Sequence, residues 1–206
     1  MIIHNMEQGS TAWWQVRIGV ATASEFDKIL TPAKLEPSRS VDGYINKLLG
    51  EWLRNKPDEG FESEWMKRGK EVEQEARDYY AFHTGAEVQQ VGFCYIEDGN
   101  YGCSPDGLVE DGGLEIKCPS PGIHVGYILD GRVPLDYRLQ ILGSLLVTGR
   151  EYWDFISYHP DIEPLIIRTW QKDVMDELNI LNKALWDVDR KLKAKQKILI
   201  ERGFKK

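Results

Sequence analysis

Three residues of the chain have types and spacing that could do chemistry together. Asp106 sits in a Ser-Pro-Asp-Gly turn, and Glu115 and Lys117 follow in Gly-Gly-Leu-Glu-Ile-Lys-Cys-Pro. Side chains alternate across a strand, so Glu115 and Lys117 share one face and Ile116 points to the other. A hairpin through Asp111-Gly112-Gly113 would bring Asp106 back beside Glu115. Two carboxylates at one point repel unless a cation lies between them or one is protonated. A donor set of oxygens with one or two carboxylates suits Mg²⁺ or Mn²⁺. Such an ion activates water and offsets charge on a phosphodiester. A neighbouring lysine could hold or deprotonate that water, or stabilise charge in the transition state. The same residues also suit a plain turn followed by a surface salt bridge.

The elements that must position these residues can be read in outline. Ser10 to Arg17 reads as a short helix closed by Gly19. Thr22-Ala-Ser-Glu25 has the form of a capping box, which predicts a helix from there to about Leu30. Residues 41–53 and 63–83 have helical spacing, with Trp65, Val72, Ala76 and Tyr80 on one side of the second. The period then changes: Val88 to Ile96 reads as strand, Gly99-Asn100 as a turn, and 101–104, 107–109 and 114–117 as short strands. A helix over 135–147, strands over 152–158 and 165–170, and a long amphipathic helix from about 173 to 200 complete the order. The segments 31–43 and 54–63 read as polar loops, too short for domain linkers. The expectation is an α/β fold: a single domain over 1–206, with a central mixed β-sheet flanked by helices.

The 206 residues, 42% of them hydrophobic, suit one sizeable core. No run is long enough for a membrane span and the start has no secretory pattern. Cys94, Cys103 and Cys118 are odd in number and lack Cys-x-x-Cys spacing, which suits thiols in a reducing cytoplasm. The net charge of -7 argues mildly against a phosphate-rich partner. A local groove can still be basic, and residues 190–206 carry eight Lys or Arg against one Glu. A solvated helix face is the simpler account of that run.

The blocks AWWQVRIGVATASE (12–25), RGKEVEQEAR (68–77), CSPDGL (103–108), GLEIKCP (113–119) and YRLQ (137–140) together resemble the phage lambda exonuclease family. These are viral-type alkaline exonucleases of the PD-(D/E)xK nuclease superfamily, with a restriction-endonuclease-like core. The resemblance implies a Mg²⁺-dependent exonuclease, with two ions once DNA is bound and Mn²⁺ as a substitute. Such an enzyme digests the 5′-ended strand of linear duplex DNA and leaves a 3′ single strand. It implies a toroidal homotrimer around the DNA and a phage-type single-strand annealing protein as partner in recombination. By the same resemblance Asp106, Glu115 and the Ile116 carbonyl hold metal, and Lys117 is the catalytic lysine. Glu73 and Gln140 flank the site, and Arg17, Thr22 and Ser24 receive the 5′ phosphate. Met66 falls where the family places an apolar wedge between base pairs. Residues 31–62 and the C-terminal helix match the family poorly.

Other readings make distinct demands. A Cas4-like nuclease would need four cysteine ligands for its iron–sulfur cluster, and this chain has three cysteines in all. A related endonuclease would not need the Arg17 block. A non-catalytic module that binds DNA ends or proteins would be expected to lose one of Asp106, Glu115 and Lys117.

Overall fold

Strands β1 (Ile2–His4), β2 (Ala21–Thr22), β3 (Phe93–Ile96) and β4 (Tyr101–Cys103) form one sheet in the order β1-β3-β4-β2. Strands β5 (Gly107–Leu108), β6 (Gly112–Lys117), β7 (Tyr152–His159) and β8 (Ile162–Trp170) form a second in sequential order. Both are mixed: β2 runs parallel to β4 and β6 parallel to β7, and the other pairs are antiparallel. The α/β class stands, with the strands divided between two four-stranded sheets rather than gathered in one. In this computed structural model residues 1–57 and 64–204 are described, with side chains for 1–57 and 72–204.

The two sheets share one apolar core. Cys94, Tyr101 and Cys103 from the first and Leu108, Trp153 and Phe155 from the second belong to the same buried cluster. Helices α1 (Thr11–Arg17), α2 (Val41–Arg54), α3 (Glu64–Thr84), α4 (Pro121–Asp130), α5 (Leu135–Thr148) and α6 (Met175–Glu201) surround the sheets. From α6, Leu178, Leu181, Leu185, Val188 and Leu192 enter the core at helical spacing. A second cluster of Ala76, Tyr80, Leu114, Ile116 and Ile156 lies between α3 and the second sheet. Both faces of β6 are therefore covered as far as Ile116, so the charge of Glu115 is buried. Among the described residues no helix is long and apolar enough to cross a membrane.

Several elements differ from expectation for local reasons. Residues 23–28 form a 3-10 helix, and Thr22 makes no side-chain cap. Glu25, which would complete the capping box, instead pairs with Lys47 at 2.7 Å. Helix α4 was not foreseen, because its sequence PGIHVGYILD has two glycines and no polar face. Strands β1 and β2 have three and two residues, too few to show a period. The Met66 expectation falls on a side chain outside the described residues.

The junction between the sheets positions the chemistry. Strand β4 ends at Cys103 in the first sheet and β5 begins at Gly107 in the second. Ser104, Pro105 and Asp106 are the whole link. The junction depends on close packing at Gly102, where a Cβ would lie 2.5 Å from the Cys94 carbonyl oxygen. That oxygen belongs to a paired strand and cannot move aside alone. Gly102→Ala is expected to cost about 3 kcal/mol, read as a lower denaturant midpoint at unchanged slope.

Candidate active site

The hairpin expected from sequence is present. Gly107 pairs with Leu114 and Leu108 with Gly113, antiparallel. The Asp106 amide donates to the Leu114 carbonyl at 3.2 Å. Beyond this point β5 no longer accompanies β6, and the Asp106 carboxylate takes over. Its Oδ2 accepts from the Ile116 amide at 2.6 Å. Glu115 and Lys117 lie on one face, as strand alternation requires, with Lys117 Nζ 2.6 Å from Glu115 Oε1. The Lys117 ammonium also sits 4.9 Å from the centre of the Tyr137 ring on α5. Tyr137 stacks on Phe155 of β7, the register partner of Glu115.

The electrostatics follow from burial. Glu115 is 1% exposed. Burial and the adjacent Glu115 charge push Asp106 well above the ordinary aspartate range. Burial also raises Glu115, even with Lys117 against it. For Lys117, burial acts to lower the pKa, but Glu115 and Asp106 outweigh it and raise the lysine above its usual value. In the metal-free site Lys117 is thus held as an ammonium, a donor and a charge.

Glu73 and Arg77 approach from α3. Arg77 Nη2 lies 2.5 Å from Glu73 Oε1, and its Nε donates to the Asp106 carbonyl oxygen at 3.0 Å. Glu73 is close enough for its charge to raise both Asp106 and Glu115. Gln140 is half-buried on α5, three residues after Tyr137 and so on the same side of that helix.

These residues suit a divalent cation. Glu115 Oε2 is buried and has no hydrogen-bond partner among the described residues. A buried carboxylate oxygen left bare costs free energy that a cation would recover. Among the described residues no group of three His, Cys, Asp or Glu side chains converges as a ready cluster. The donors are two carboxylates with the nearby main chain, a sparse oxygen set of the kind that suits an ion retaining waters.

Arg17 forms a second centre. Its guanidinium lies 4.0 Å from the Trp13 ring centre, and Nη1 donates to Ser104 Oγ at 2.8 Å. Trp13 Nε1 donates to the same oxygen at 2.9 Å. With two donors on its oxygen, the Ser104 hydroxyl has its own hydrogen left to give. Burial lowers Arg17 to about 10, against the opposing influence of Tyr44, Glu25, Cys103 and Glu51. Among the described residues no carboxylate forms an ion pair with Arg17. Thr22 Oγ1 and Ser24 Oγ lie 3.4 Å apart, and the Thr22 amide donates to the Tyr44 hydroxyl at 3.2 Å.

The structure thus gathers Asp106, Glu115, Lys117 and Glu73, and links Arg17 to the same turn through Ser104. Sequence reasoning missed Arg77, Tyr137 and Ser104. Each lies inside a motif block, RGKEVEQEAR, YRLQ or CSPDGL, so position within those blocks was the available signal.

The YqaJ-like viral recombinase domain matches residues 12–151. No protein of curated function matches the sequence significantly. Among solved structures, LHK-Exo in complex with dAMP superposes with a TM-score of 0.80 at 28% identity, covering 94% of this chain and 98% of that one. A second structure of LHK-Exo, an alkaline exonuclease from Laribacter hongkongensis, gives 0.76 at 27% identity, covering 93% and 99%. A phage-related exonuclease from Haemophilus somnus 129PT gives 0.63 at 12% identity over 86% and 96%, which speaks for the fold alone. Motif blocks, fold and domain match agree, and the chain belongs to the YqaJ-like viral recombinase domain family.

Proposed function

We propose that this chain, one nuclease domain over 1–206, is a Mg²⁺-dependent 5′–3′ exonuclease of linear double-stranded DNA. It prefers 5′-phosphorylated ends and leaves a 3′ single-stranded overhang for recombination by strand annealing. The observation that carries the reading is the bare, buried Glu115 Oε2 beside Asp106 and Lys117. Asp106, Glu115 and the Ile116 carbonyl hold the metal, with Mn²⁺ able to substitute and a second ion present with DNA. The metal supplies water activation and charge neutralisation at the phosphodiester. Lys117 donates to the attacking water and the developing charge from its position between Glu115 and the Tyr137 ring. Glu73 and Gln140 position that water or the second ion. Arg17, with Thr22, Ser24 and the Ser104 hydroxyl, grips the terminal 5′ phosphate and sets which bond reaches Lys117. The assembly is a homotrimeric ring acting in the cytoplasm with a phage-type annealing protein.

The test uses linear duplex DNA with 5′-phosphate ends and the same DNA as a closed circle, both with Mg²⁺. Loss of the linear DNA from its 5′ ends only supports the reading. Cutting of the circle would make the protein an endonuclease. Inertness of a folded protein toward both would leave a binding module.

The phosphate pocket has its own test. Arg17→Ala is expected to reduce the preference for 5′-phosphate over 5′-hydroxyl ends by about tenfold, the scale of one charge-assisted contact. Metal affinity should stay within about twofold, since Arg17 touches neither carboxylate. Equal wild-type rates on the two ends would remove Arg17 from this role.

A further inference from the structure

Arg77 is 8% exposed, and besides the Gln90 amide oxygen its guanidinium meets three groups that bear on the site. Nη2 meets Glu73 Oε1 at 2.5 Å, Nη1 donates to Gln74 Oε1 at 2.7 Å, and Nε donates to the Asp106 carbonyl at 3.0 Å. Two of these partners lie on its own helix, and the third belongs to the link between the sheets. A rigid planar fork can serve all three at once, whereas a lysine ammonium is a single compact point of charge. The Asp106 main chain is thereby fixed on its carbonyl side by Arg77 and on its amide side by Leu114. The carboxylate between them is aimed at Ile116. The Glu73 side chain is 32% exposed, so it is held by the ion pair and not by packing.

We propose that Arg77 is a positioning residue with two tasks: it anchors Asp106 through the main chain, and it holds Glu73 in reserve, releasing it to the cation site when metal and DNA are bound. The inference rests on the nuclease reading above. Three carboxylates (Asp106, Glu115 and Glu73) face two cationic side chains (Lys117 and Arg77). With Glu73 neutralised by Arg77, the site attracts a first cation only moderately. When further positive charge arrives, the Glu73 carboxylate exchanges an N–H donor for a cation. Arg77 keeps Gln74 and the Asp106 carbonyl. The exchange transfers no proton and breaks no covalent bond.

The experiment is a calorimetric Mn²⁺ titration of the full chain without DNA, with thermal melts to verify folding and hydrolysis of linear duplex DNA measured separately. Arg77→Met removes a positive charge a few ångströms from the carboxylates, so it should bind Mn²⁺ about tenfold more tightly than wild type. It should also hydrolyse DNA at least about tenfold more slowly, because Asp106 loses its anchor. Arg77→Lys should return the affinity to within about twofold of wild type without restoring the rate. In the double variant Glu73→Gln/Arg77→Met the gain in affinity should vanish, since there is no released charge. A folded Arg77→Met protein with unchanged or weaker Mn²⁺ affinity overturns the proposal, because a purely structural arginine gives that result. If Arg77→Met does not fold, Glu73→Gln with Arg77 intact decides. With the titration repeated in the presence of nuclease-resistant phosphorothioate duplex DNA, the first binding event should stay within about twofold of wild type and a weaker second event should disappear, and an unaltered titration with that DNA overturns the reserve role. Wild-type protein that neither binds Mn²⁺ nor cuts DNA would overturn the nuclease reading itself, and the inference with it.

Discussion

Lys117→Ala is expected to lower single-turnover hydrolysis of linear duplex DNA by about 10³-fold, roughly 4 kcal/mol of transition-state stabilisation. The size follows from where the ammonium is held. It is 2.6 Å from Glu115 Oε1 and faces the Tyr137 ring, so its charge is aimed before any substrate arrives. A second effect separates this role from general damage. Without Lys117, Glu115 Oε1 loses its ion-pair partner and joins the already bare Oε2, which should destabilise the metal-free protein by about 3 kcal/mol. Added Mg²⁺ should recover more stability in the variant than in wild type, because the cation then supplies all of the missing charge. Thermal melts with and without Mg²⁺, beside the hydrolysis rates, check both effects. A variant retaining a tenth of wild-type activity would remove Lys117 from the reaction.

Asp106→Asn should have the opposite signature: a more stable metal-free protein that does not turn over. Burial and Glu115 raise Asp106 well above its ordinary value of 3.8. A carboxyl whose folded pKa is raised stabilises the fold below the unfolded value. That contribution is lost as pH rises through the raised folded value. Wild type in chelator should therefore melt at progressively lower temperature as pH climbs from about 4 toward neutrality, and the asparagine variant should show a flatter profile. At neutral pH removal of the buried charge should add about 1 kcal/mol, since the asparagine oxygen can still accept from the Ile116 amide. Metal should reverse the ranking. Wild type gains about 2.7 kcal/mol at a hundredfold excess over Kd, whereas the variant gains almost nothing and loses on the order of 10³-fold or more in rate. An asparagine variant with the full Mg²⁺-induced rise in melting temperature would show that Asp106 is not a ligand.

The core of the site was legible because it is local. Strand alternation put Glu115 and Lys117 on one face, and the glycines at 112 and 113 announced the hairpin that returns Asp106 to them. The helices of α2, α5 and α6 were legible because each carries a full apolar period. What failed depends on partners far along the chain. Glu25 completes a capping box on paper, but Lys47 captures it, and the segment winds as a 3-10 helix. Arg77 meets Asp106 from 29 residues away and Arg17 meets Ser104 from 87. No window of local sequence contains both members of such a pair. The division into two sheets was hidden for a related reason. Strands of two or three residues are defined by what pairs with them, as β2 is by β4. Helix α4 escaped because its apolar residues, among them the exposed Ile123, Val125 and Leu129, do not alternate with polar ones.

The three-residue link between the sheets has a further consequence. Ser104 contacts the arginine proposed to hold the terminal phosphate, and Asp106 is proposed to hold the metal at the scissile bond. Two virtual bonds of backbone separate them, which can span no more than about 7 Å. The link therefore acts as a gauge block. On the proposed reading, the spacing between the backbone that carries the end grip and the backbone that carries the metal ligand is fixed by covalent chain length, which DNA sequence cannot alter.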